Sequence, residues 1–515
     1  MRVPLTVGDF LERAETVYAE NPAVVDEPGV PGSLGRLTYR EVAARARGMA
    51  LALDAMGVPA GARVAIVSPN ASRFLIAFYG VSAYGRVLVP VNYRLRAEEV
   101  SYIVEHSGAT VLLVDPELDA ALSEVTAKER IVMNGVDDAA LFAEAPPGAE
   151  PRAWTPDEDA VCTVNYTSGT TARPKGVRLT HRGCWLNAVS FGWHTTITDR
   201  DVLLHTLPMF HVNGWGTPYA LTAMGGTHIV IRKIDGEDIL RRVETEGVTL
   251  LCGAPAVVAA ILDAATARTE TGRPVPGRGR VRIVVAGAPP PSAVIARVEE
   301  QLGWEFIQIY GLTEASPLLT VNRARSDWDG LAAGERARLL SQAGAPAVGV
   351  RLRTDAGGEV LARSNHVFDG YWQQPRETAE ALADGWFRTG DGGRFDGPLL
   401  SIIDRKKDVI ITGGENVSSI EVEDCLYRHP DVAEAAVIGV PDDKWGETVK
   451  ALVVLRPGSS AGPAELIEFC RASMTHYKCP TSVEIRSELE RTATGKLQKF
   501  KLRAPYWQGR DREVG

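Results

Sequence analysis

The segment from residue 166 to residue 176 carries the side chains best suited to chemistry in this chain. It reads Tyr-Thr-Ser-Gly-Thr-Thr-Ala-Arg-Pro-Lys-Gly, so four hydroxyls surround one glycine and a lysine follows. Hydroxyl donors, the backbone N–H groups that a glycine exposes and a nearby cation together suit a polyphosphate ligand. The spacing differs from that of a Walker A loop. The candidate phosphate ligands are Thr167, Ser168, Gly169, Thr170, Thr171 and Lys175.

A segment of this composition is also typical of a polar surface turn, and composition alone favours the turn. The flanking sequence changes that balance. Residues 159–165 before the segment and 177–181 after it are both strand-like. A phosphate loop between two strands is a specific arrangement, and we take it as the working hypothesis.

Two further segments have residue types that suit a nucleotide. Tyr310 offers a flat face for a base, Gly311 permits a tight turn, and the carboxylate of Glu314 can hold Mg²⁺ against phosphate oxygens. The alternative for this segment is a helix that Thr313 caps, with Glu314 in its first turn. Farther along the chain, Asp391 ends the run Phe-Arg-Thr-Gly-Asp, and its carboxylate can accept hydrogen bonds from both hydroxyls of a ribose.

These segments resemble the motifs of the adenylate-forming superfamily, which comprises acyl-CoA synthetases, luciferases and the adenylation domains of peptide synthetases. The motifs follow one another in the family's order over nearly the whole chain. The phosphate loop departs from the usual YTSGTTGxPKG at one position, where Ala172 replaces a glycine. The other matching segments are 310–314 (YGxTE), 385–391 (GWFRTGD), 404–408 (DRxKD) and 491–496 (RTATGK).

The resemblance implies ATP and Mg²⁺ as cofactors and CoA as cosubstrate. It implies that Lys496 and Glu314 are catalytic, that Asp404 is the hinge for a domain rotation, and that Glu314 with Thr167 holds the metal. Pantetheine of CoA would pass Gly413, Gly414 and Glu415. The remaining nucleotide ligands that it implies are Gly287, Ala288, Pro289, Tyr310, Gly311, Leu312, Thr313, Asp391 and Arg405.

The acid is expected to bind near residues 207–215, Leu-Pro-Met-Phe-His-Val-Asn-Gly-Trp. A histidine among apolar residues is more often a satisfied core histidine than a ligand. By resemblance, however, His211, Trp215 and Gly311 contact the acid, and His211 joins the catalytic residues. The FHVNGW run and the charged insert at 322–345 resemble medium- to long-chain fatty-acyl enzymes, so the expected substrate is a hydrophobic carboxylic acid.

The leading hypothesis is an ATP-dependent carboxylate–CoA ligase that works through an acyl-adenylate. One alternative is an adenylating enzyme that loads a phosphopantetheinyl carrier protein in a natural-product pathway. The chain carries no fused carrier domain, which favours free CoA. A third alternative is an ATP-binding module without catalysis, and the presence of both Lys175 and Lys496 argues against it.

The elements that must position these residues follow from hydrophobic patterning. Alternating helices and β-branched strands predict an α/β fold with two doubly wound α/β lobes in a large N-terminal domain. Thr38 to Glu41 is a capping-box signature that opens an Ala-rich helix expected to run to about Met56, and the Pro/Gly-rich residues 146–151 are interpreted as a linker between the lobes. A β-rich subdomain is expected from about 347. The predicted units are residues 1–403, a hinge at 404–405, and a small mobile α+β C-terminal domain at 406–515.

Composition excludes several other classes of protein. The 515 residues carry a formal net charge of −9 without a basic block, which argues against nucleic acid as a partner. The six cysteines show no CxxC spacing, so we expect the reducing cytoplasm. No apolar run is long enough to span a membrane, and the start of the chain has no secretory pattern. A homodimer is compatible with this composition.

Overall fold

Helices and strands alternate along most of the chain. The computed structural model describes residues 1–167, 174–287, 290–405, 408–412, 415–442, 444–491 and 497–508, with only the backbone of Arg405. The described strands are β1 (Pro22–Val25), β2 (Arg36–Thr38), β3 (Arg63–Val67), β4 (Val87–Val91), β5 (Ala109–Val114), β6 (Glu129–Val132), β7 (Val161–Thr167), β8 (Lys175–Thr180), β9 (Val202–His205), β10 (Thr227–Val230), β11 (Leu250–Gly253), β12 (Arg282–Val285), β13 (Glu305–Gly311), β14 (Leu318–Arg323), β15 (Ala345–Pro346), β16 (Arg351–Thr354), β17 (Glu359–Arg363), β18 (Gly370–Tyr371), β19 (Phe387–Asp396), β20 (Leu399–Arg405), β21 (Ile410–Thr412), β22 (Glu415–Val417), β23 (Val432–Asp442), β24 (Gly446–Leu455) and β25 (Ser482–Ile485).

The helices surround these strands, and the first long one begins where its capping signature predicts. Thr38 accepts from the backbone N–H of Glu41, whose carboxylate accepts in turn from the N–H of Thr38 at 2.7 Å. The described helices are α1 (Gly8–Tyr18), α2 (Tyr39–Ala55), α3 (Ser72–Ser82), α4 (Ala97–Ser107), α5 (His181–Thr195), α6 (Thr217–Met224), α7 (Gly236–Thr245), α8 (Pro255–Glu270), α9 (Ser292–Arg297), α10 (Ala333–Leu340), α11 (Pro375–Ala381), α12 (Ser419–Tyr427), α13 (Pro463–Ser473) and α14 (Lys499–Arg503). Within the described residues, none of these helices is long and apolar enough to cross a membrane.

Two large sheets form the N-terminal part of the fold. The seven-stranded sheet has the order β18-β8-β7-β4-β3-β5-β6, with β7, β4, β3, β5 and β6 parallel to one another. The nine-stranded sheet has the order β15-β14-β13-β12-β11-β9-β10-β1-β2, and its middle strands, from β13 to β1, are also parallel. Parallel strands covered by helices on both faces are nearly continuous apolar runs, as in β3 and β4. The predicted α/β fold is confirmed.

The interpretation of residues 146–151 as a linker between the lobes was wrong. After this segment the chain returns to the same sheet, because β7 pairs in parallel with β4 through Thr163 and Leu88. Conversely, β1 and β2 near the start of the chain belong to the nine-stranded sheet. Strand pairing over long sequence distances decides which sheet a strand joins, and local composition does not report that pairing.

Two smaller sheets follow. Strands β16, β17, β19 and β20 form an antiparallel sheet, in agreement with the expected β-rich subdomain. The C-terminal part packs α12 and α13 against a sheet of the order β22-β21-β24-β23, with β25 beside β24. Strand β20 runs without interruption from Leu399 to Arg405 and thus includes the residues predicted as the hinge. The boundary at 403 and the hinge at 404–405 stay predictions.

Candidate active site

The described residues that are predicted to bind phosphate, Thr167 and Lys175, lie where β7 ends and β8 begins. Thr167 and Lys175 are cross-strand partners, so the hydroxyl-bearing and amine-bearing residues stand opposite each other. A helix braces this end of the sheet, because the ring of His106 on α4 bonds to the hydroxyl of Tyr166 at 2.8 Å. The indole N–H of Trp372 donates to the carbonyl of His106 at 3.0 Å. The structure therefore fixes both flanks of the predicted phosphate segment.

The aromatic residue and the ribose carboxylate predicted for the nucleotide are brought together. Tyr310 is the second-last residue of β13, and its hydroxyl donates to Oδ2 of Asp391 at 2.8 Å. Asp391 is buried and lies opposite Arg405 in the β19–β20 pairing. These residues come from three strands in two different sheets. A flat ring beside a carboxylate suits a base beside its ribose.

Position 311 requires a glycine because the backbone of Pro317 passes close to it. A Cβ added there would lie 1.7 Å from the carbonyl oxygen of Pro317, and the N–H of Leu312 donates to that same oxygen at 3.1 Å. Thr313 does not cap a helix, since Thr313–Ala315 is a single 3₁₀ turn preceded by Leu312. The alternative that Thr313 is a helix cap was therefore wrong. The short turn instead places Glu314 three residues after the end of β13.

Glu314 is held in place by a residue that sequence reasoning missed. Tyr371 donates its hydroxyl to Oε1 of Glu314 at 2.9 Å, and Lys175 lies with its Nζ 4.9 Å from the centroid of the Tyr371 ring. Burial, and then the neighbouring Glu314 charge, raise the pKa of the Tyr371 hydroxyl, so it remains a donor near neutral pH. Nothing local in the sequence marks Tyr371, because its role comes from contacts with two distant segments.

The oxygen ligands present fit Mg²⁺. A carboxylate at Glu314 and the hydroxyl of Thr167 are hard oxygen donors, and Mg²⁺ in nucleotide sites is usually held by one or two carboxylates together with substrate phosphates. Among the residues that the structure describes, no cluster of three or more His, Cys, Asp or Glu could hold a metal by itself.

The residue predicted as the hinge belongs to a buried polar cluster. Oδ2 of Asp404 accepts from the N–H and hydroxyl of Ser419, at 2.9 and 2.5 Å, at the start of α12. Next to them, Nζ of Lys499 lies 2.8 Å from Oε1 of Glu423. Burial lowers the pKa of Lys499, but the charges of Glu423 and Asp404 outweigh it, so the pKa is raised. Burial also raises the pKa of Glu423, against the opposing charge of Lys499.

The segment predicted to contact the acid adopts an unusual backbone. Residues 212–216 are left-handed in succession, with φ between 38° and 80°. Such φ values cost roughly 1–2 kcal/mol for each residue other than glycine. Hydrogen bonds hold the segment, since Asn187 donates to the carbonyl of Trp215 at 3.2 Å and Thr217 to that of Gly214 at 2.7 Å. Trp215 is only 4% exposed, while His211 is half-buried.

The other predicted site residues either lie at exposed positions or fall outside the described residues. Gly287 follows β12 in an exposed position, and Glu415 is exposed at the start of β22. Arg491 and Leu497, on either side of the predicted catalytic lysine, pair as an isolated bridge. The predicted residues that lie outside the described ones are Ser168, Gly169, Thr170, Thr171, Ala172, Ala288, Pro289, Gly413, Gly414 and Lys496, together with the side chain of Arg405.

Comparison with known proteins assigns the family. The AMP-binding enzyme family matches residues 11–372, and the C-terminal domain of AMP-binding enzymes matches residues 421–496. A 2-methylpropanoate–CoA ligase of Humulus lupulus is 37% identical, over 97% of this chain and 95% of the relative. A 4-hydroxybutyrate–CoA ligase of Metallosphaera sedula is 36% identical, over 96% and 93%. The crystal structure of an anthranilate CoA ligase with anthranoyl-AMP matches with a TM-score of 0.86 and 26% identity, over 98% and 99%.

The fold and the matched ranges define an adenylate-forming enzyme, an AMP-forming acid–thiol ligase. The chain belongs to the AMP-binding enzyme family, over both its large N-terminal part and its C-terminal domain. CoA ligases of this family use ATP, Mg²⁺ and CoA.

Proposed function

We propose that this enzyme joins a compact carboxylic acid to CoA in two steps, through an acyl-adenylate. The observation that supports the proposal is the convergence of nucleotide-type side chains from both large sheets. Thr167 and Lys175 flank the phosphate segment, Tyr371 contacts both Glu314 and Lys175, and Tyr310 bonds to Asp391. Ligands of open α/β sheets bind at the carboxyl ends of the strands, where Thr167 and Tyr310 lie.

In the proposed first step the carboxylate of the acid attacks the α-phosphorus of ATP, and pyrophosphate leaves. No enzyme nucleophile is needed, so the protein contributes positioning and neutralisation of charge. Lys175 and the hydroxyl of Thr167 would bind the outgoing phosphates, and Asp391 would orient the ribose. Mg²⁺, held by Glu314, would supply Lewis-acid neutralisation of the phosphate oxygens when bound. Lys496 would bridge the carboxylate and the α-phosphate, an assignment that rests on the sequence motif.

In the proposed second step the sulfur of CoA attacks the acyl carbon of the mixed anhydride and the thiol gives up its proton. The bond between the acyl carbon and the phosphate oxygen breaks, and AMP leaves. We propose that residues 406–515 form a mobile domain that turns about residues 404–405 between the two steps. Asp404 supports this proposal, because its carboxylate bonds to Ser419 at the start of α12 and so couples the end of β20 to the C-terminal part. Gly413, Gly414 and Glu415 would then line the path of pantetheine.

The size of the acid is the finer part of the proposal. Phe210, Val212 and Trp215 are each less than a tenth exposed and pack in the hydrophobic core, so these side chains fill space beside His211. The relatives named above act, by their names, on 2-methylpropanoate and 4-hydroxybutyrate. Both observations support an acid of about this size over the medium- to long-chain fatty acid that the sequence motif alone suggests.

The experiment is a panel of acids assayed by pyrophosphate release, with and without CoA. The panel holds 2-methylpropanoate, 4-hydroxybutyrate, anthranilate, octanoate and palmitate at equal concentrations. We expect the highest kcat/KM with one of the first two and a marked increase of turnover with CoA. A preference for palmitate would refute the compact-acid proposal. Release that CoA does not accelerate would favour a carrier protein as acceptor.

Two further inferences accompany the proposal. All six cysteines carry free thiols, which supports a reducing compartment such as the cytoplasm. A homodimer is compatible with the proposed function, and sedimentation at several protein concentrations tests it.

A further inference from the structure

We propose that Tyr371 is a positioning residue that sets the carboxylate of Glu314 and the ammonium of Lys175 in the arrangement that receives magnesium-bound ATP. The inference rests on the proposed function, since it assigns a new residue to the same site. Tyr371 lies outside every motif that the sequence analysis used. Its importance follows from three observations: the backbone of Tyr371 is anchored, its hydroxyl contacts Glu314, and its ring contacts Lys175.

The first contact fixes the backbone of Tyr371. Strand β18 has only two residues, and it pairs antiparallel with β8, where Tyr371 lies opposite Val177. The N–H of Tyr371 donates to the hydroxyl of Thr378 at 2.9 Å, and the N–H of Trp372 donates to the carbonyl of Gly176 at 2.7 Å. Tyr371 is therefore anchored to the same strand that begins with Lys175.

The second contact orients the carboxylate. The hydroxyl of Tyr371 donates to Oε1 of Glu314 at 2.9 Å, and a hydrogen bond to a charged acceptor is stronger than one between neutral groups. The turn that carries Glu314 is held by the same segment, because the N–H of Phe368 donates to the carbonyl of Glu314 at 2.7 Å. The ring of His366 bonds to the carbonyl of Ala315 at 2.8 Å. Backbone and side chain of Glu314 are thus fixed from one side.

The third contact orients the cation. Nζ of Lys175 lies 4.9 Å from the centroid of the Tyr371 ring, within the range of a cation–π interaction. The ring itself is held by Phe368, with centroids 4.8 Å apart and a T-shaped geometry. One phenol therefore contacts a carboxylate through its oxygen and an ammonium through its face. A metal ligand and a phosphate ligand that share one support are pre-organised relative to each other.

The hydrogen bond to Glu314 and the cation–π contact with Lys175 can be separated by substitution of Tyr371. Tyr371→Phe removes the hydroxyl and keeps the ring, whereas Tyr371→Leu removes both. Tyr506→Phe is the matched control, because Tyr506 also donates to a glutamate, Glu484, at 2.5 Å in the C-terminal part. Equilibrium binding of ATP is measured by calorimetry, at several Mg²⁺ concentrations and in EDTA, so that no turnover is needed.

We expect Tyr371→Phe to raise the Mg²⁺ concentration for half-maximal ATP binding about tenfold, because a hydrogen bond to a charged ligand is lost. ATP binding in EDTA should change less than twofold in Tyr371→Phe and should weaken several-fold in Tyr371→Leu. In the background of Glu314→Gln, Tyr371→Phe should have no further effect on the Mg²⁺ dependence. Tyr506→Phe should match the wild-type enzyme throughout.

An unchanged Mg²⁺ midpoint in Tyr371→Phe would overturn the inference, as would an equal shift with and without Glu314. Equal weakening of ATP binding by Phe and Leu at position 371 would overturn the role assigned to the ring. Circular dichroism of each variant separates these outcomes from unfolding. Failure of the proposed function has a different signature, because the wild-type enzyme would then release no pyrophosphate with any acid of the panel, whatever its Mg²⁺ dependence of ATP binding.

Discussion

Replacement of Lys499 by methionine tests whether the cluster beside the proposed hinge is a stabilising unit. Lys499 pairs with Glu423 at 2.8 Å, and both side chains are nearly buried, at 12% and 13% exposure. The N–H of Val437 also donates to Glu423 at 2.7 Å, and Asp404 lies close enough to raise the pKa of Lys499. Methionine keeps most of the side-chain volume but removes the cation that faces two buried carboxylates.

The expected loss is large because one partner of a buried pair remains without the other. Such a change costs about 3–5 kcal/mol. With about 1.4 kcal/mol for each factor of ten, the opening equilibrium of this region should rise by about two to three and a half orders of magnitude. The pKa of Glu423, already raised by burial, should rise further once the opposing Lys499 charge is gone. The deficit should therefore shrink as the pH falls and the carboxyl is protonated.

Hydrogen exchange followed by mass spectrometry measures this local stability. The peptide that covers residues 432–442 includes the N–H of Val437, which bonds to Glu423. A local readout is needed because a chain with several domains does not unfold in one step. We expect faster exchange in this peptide and little change in β3 or β4 of the N-terminal part.

Two companion variants make the reasoning refutable. Addition of Glu423→Gln to Lys499→Met removes the charge that was paired directly with Lys499 and leaves only Asp404, which keeps its hydrogen bonds from Ser419, so part of the protection should return. Lys450→Met is the control, since Lys450 pairs at 3.4 Å with the more exposed Glu484, and should cost less than about 1 kcal/mol. Less than a tenfold change in Lys499→Met, or no recovery in the double variant, would show that the cluster is not a stabilising unit.

Three further predictions concern the site and the core. Gly311→Ala should abolish ATP binding in a calorimetric titration, because its Cβ would collide with the backbone, whereas Gly334→Ala, with open space around it, should bind normally. Lys496→Ala should stop adenylate formation, measured by pyrophosphate exchange, but leave transfer from synthetic acyl-adenylate to CoA largely intact; equal loss of both would contradict its role. Burial lowers the pKa of His205 to about 3, and it also lowers the pKa of His228. The unfolded chain therefore binds protons that the folded protein does not, and the free energy of unfolding should fall by up to about 1.4 kcal/mol per histidine for each pH unit below pH 6.5. Calorimetric unfolding from pH 7 to pH 4 checks this loss, and a flat profile would refute it.

The sequence by itself determined those features that are encoded by neighbours in the chain. The capping box of Thr38 and Glu41 starts α2 because both partners lie within one helical turn. The apolar run of residues 63–67 forms β3 because a strand buried on both faces must be apolar throughout. The segments predicted to bind the nucleotide, including those with Tyr310 and Asp391, were singled out in the same way, since each is a short run of residue types that suits one kind of ligand.

Only the tertiary structure decided which distant residues act together. The hydroxyl of Tyr371 reaches Glu314, 57 positions away, and no local pattern encodes that contact. The return of β7 to β4 after residues 146–151 depends on strand pairing between segments far apart. The left-handed turn at 212–216 is held against its intrinsic cost by Asn187 on another helix. In each case the free energy comes from a contact made after the chain has folded back on itself, and a pattern of neighbouring residues carries no record of that contact.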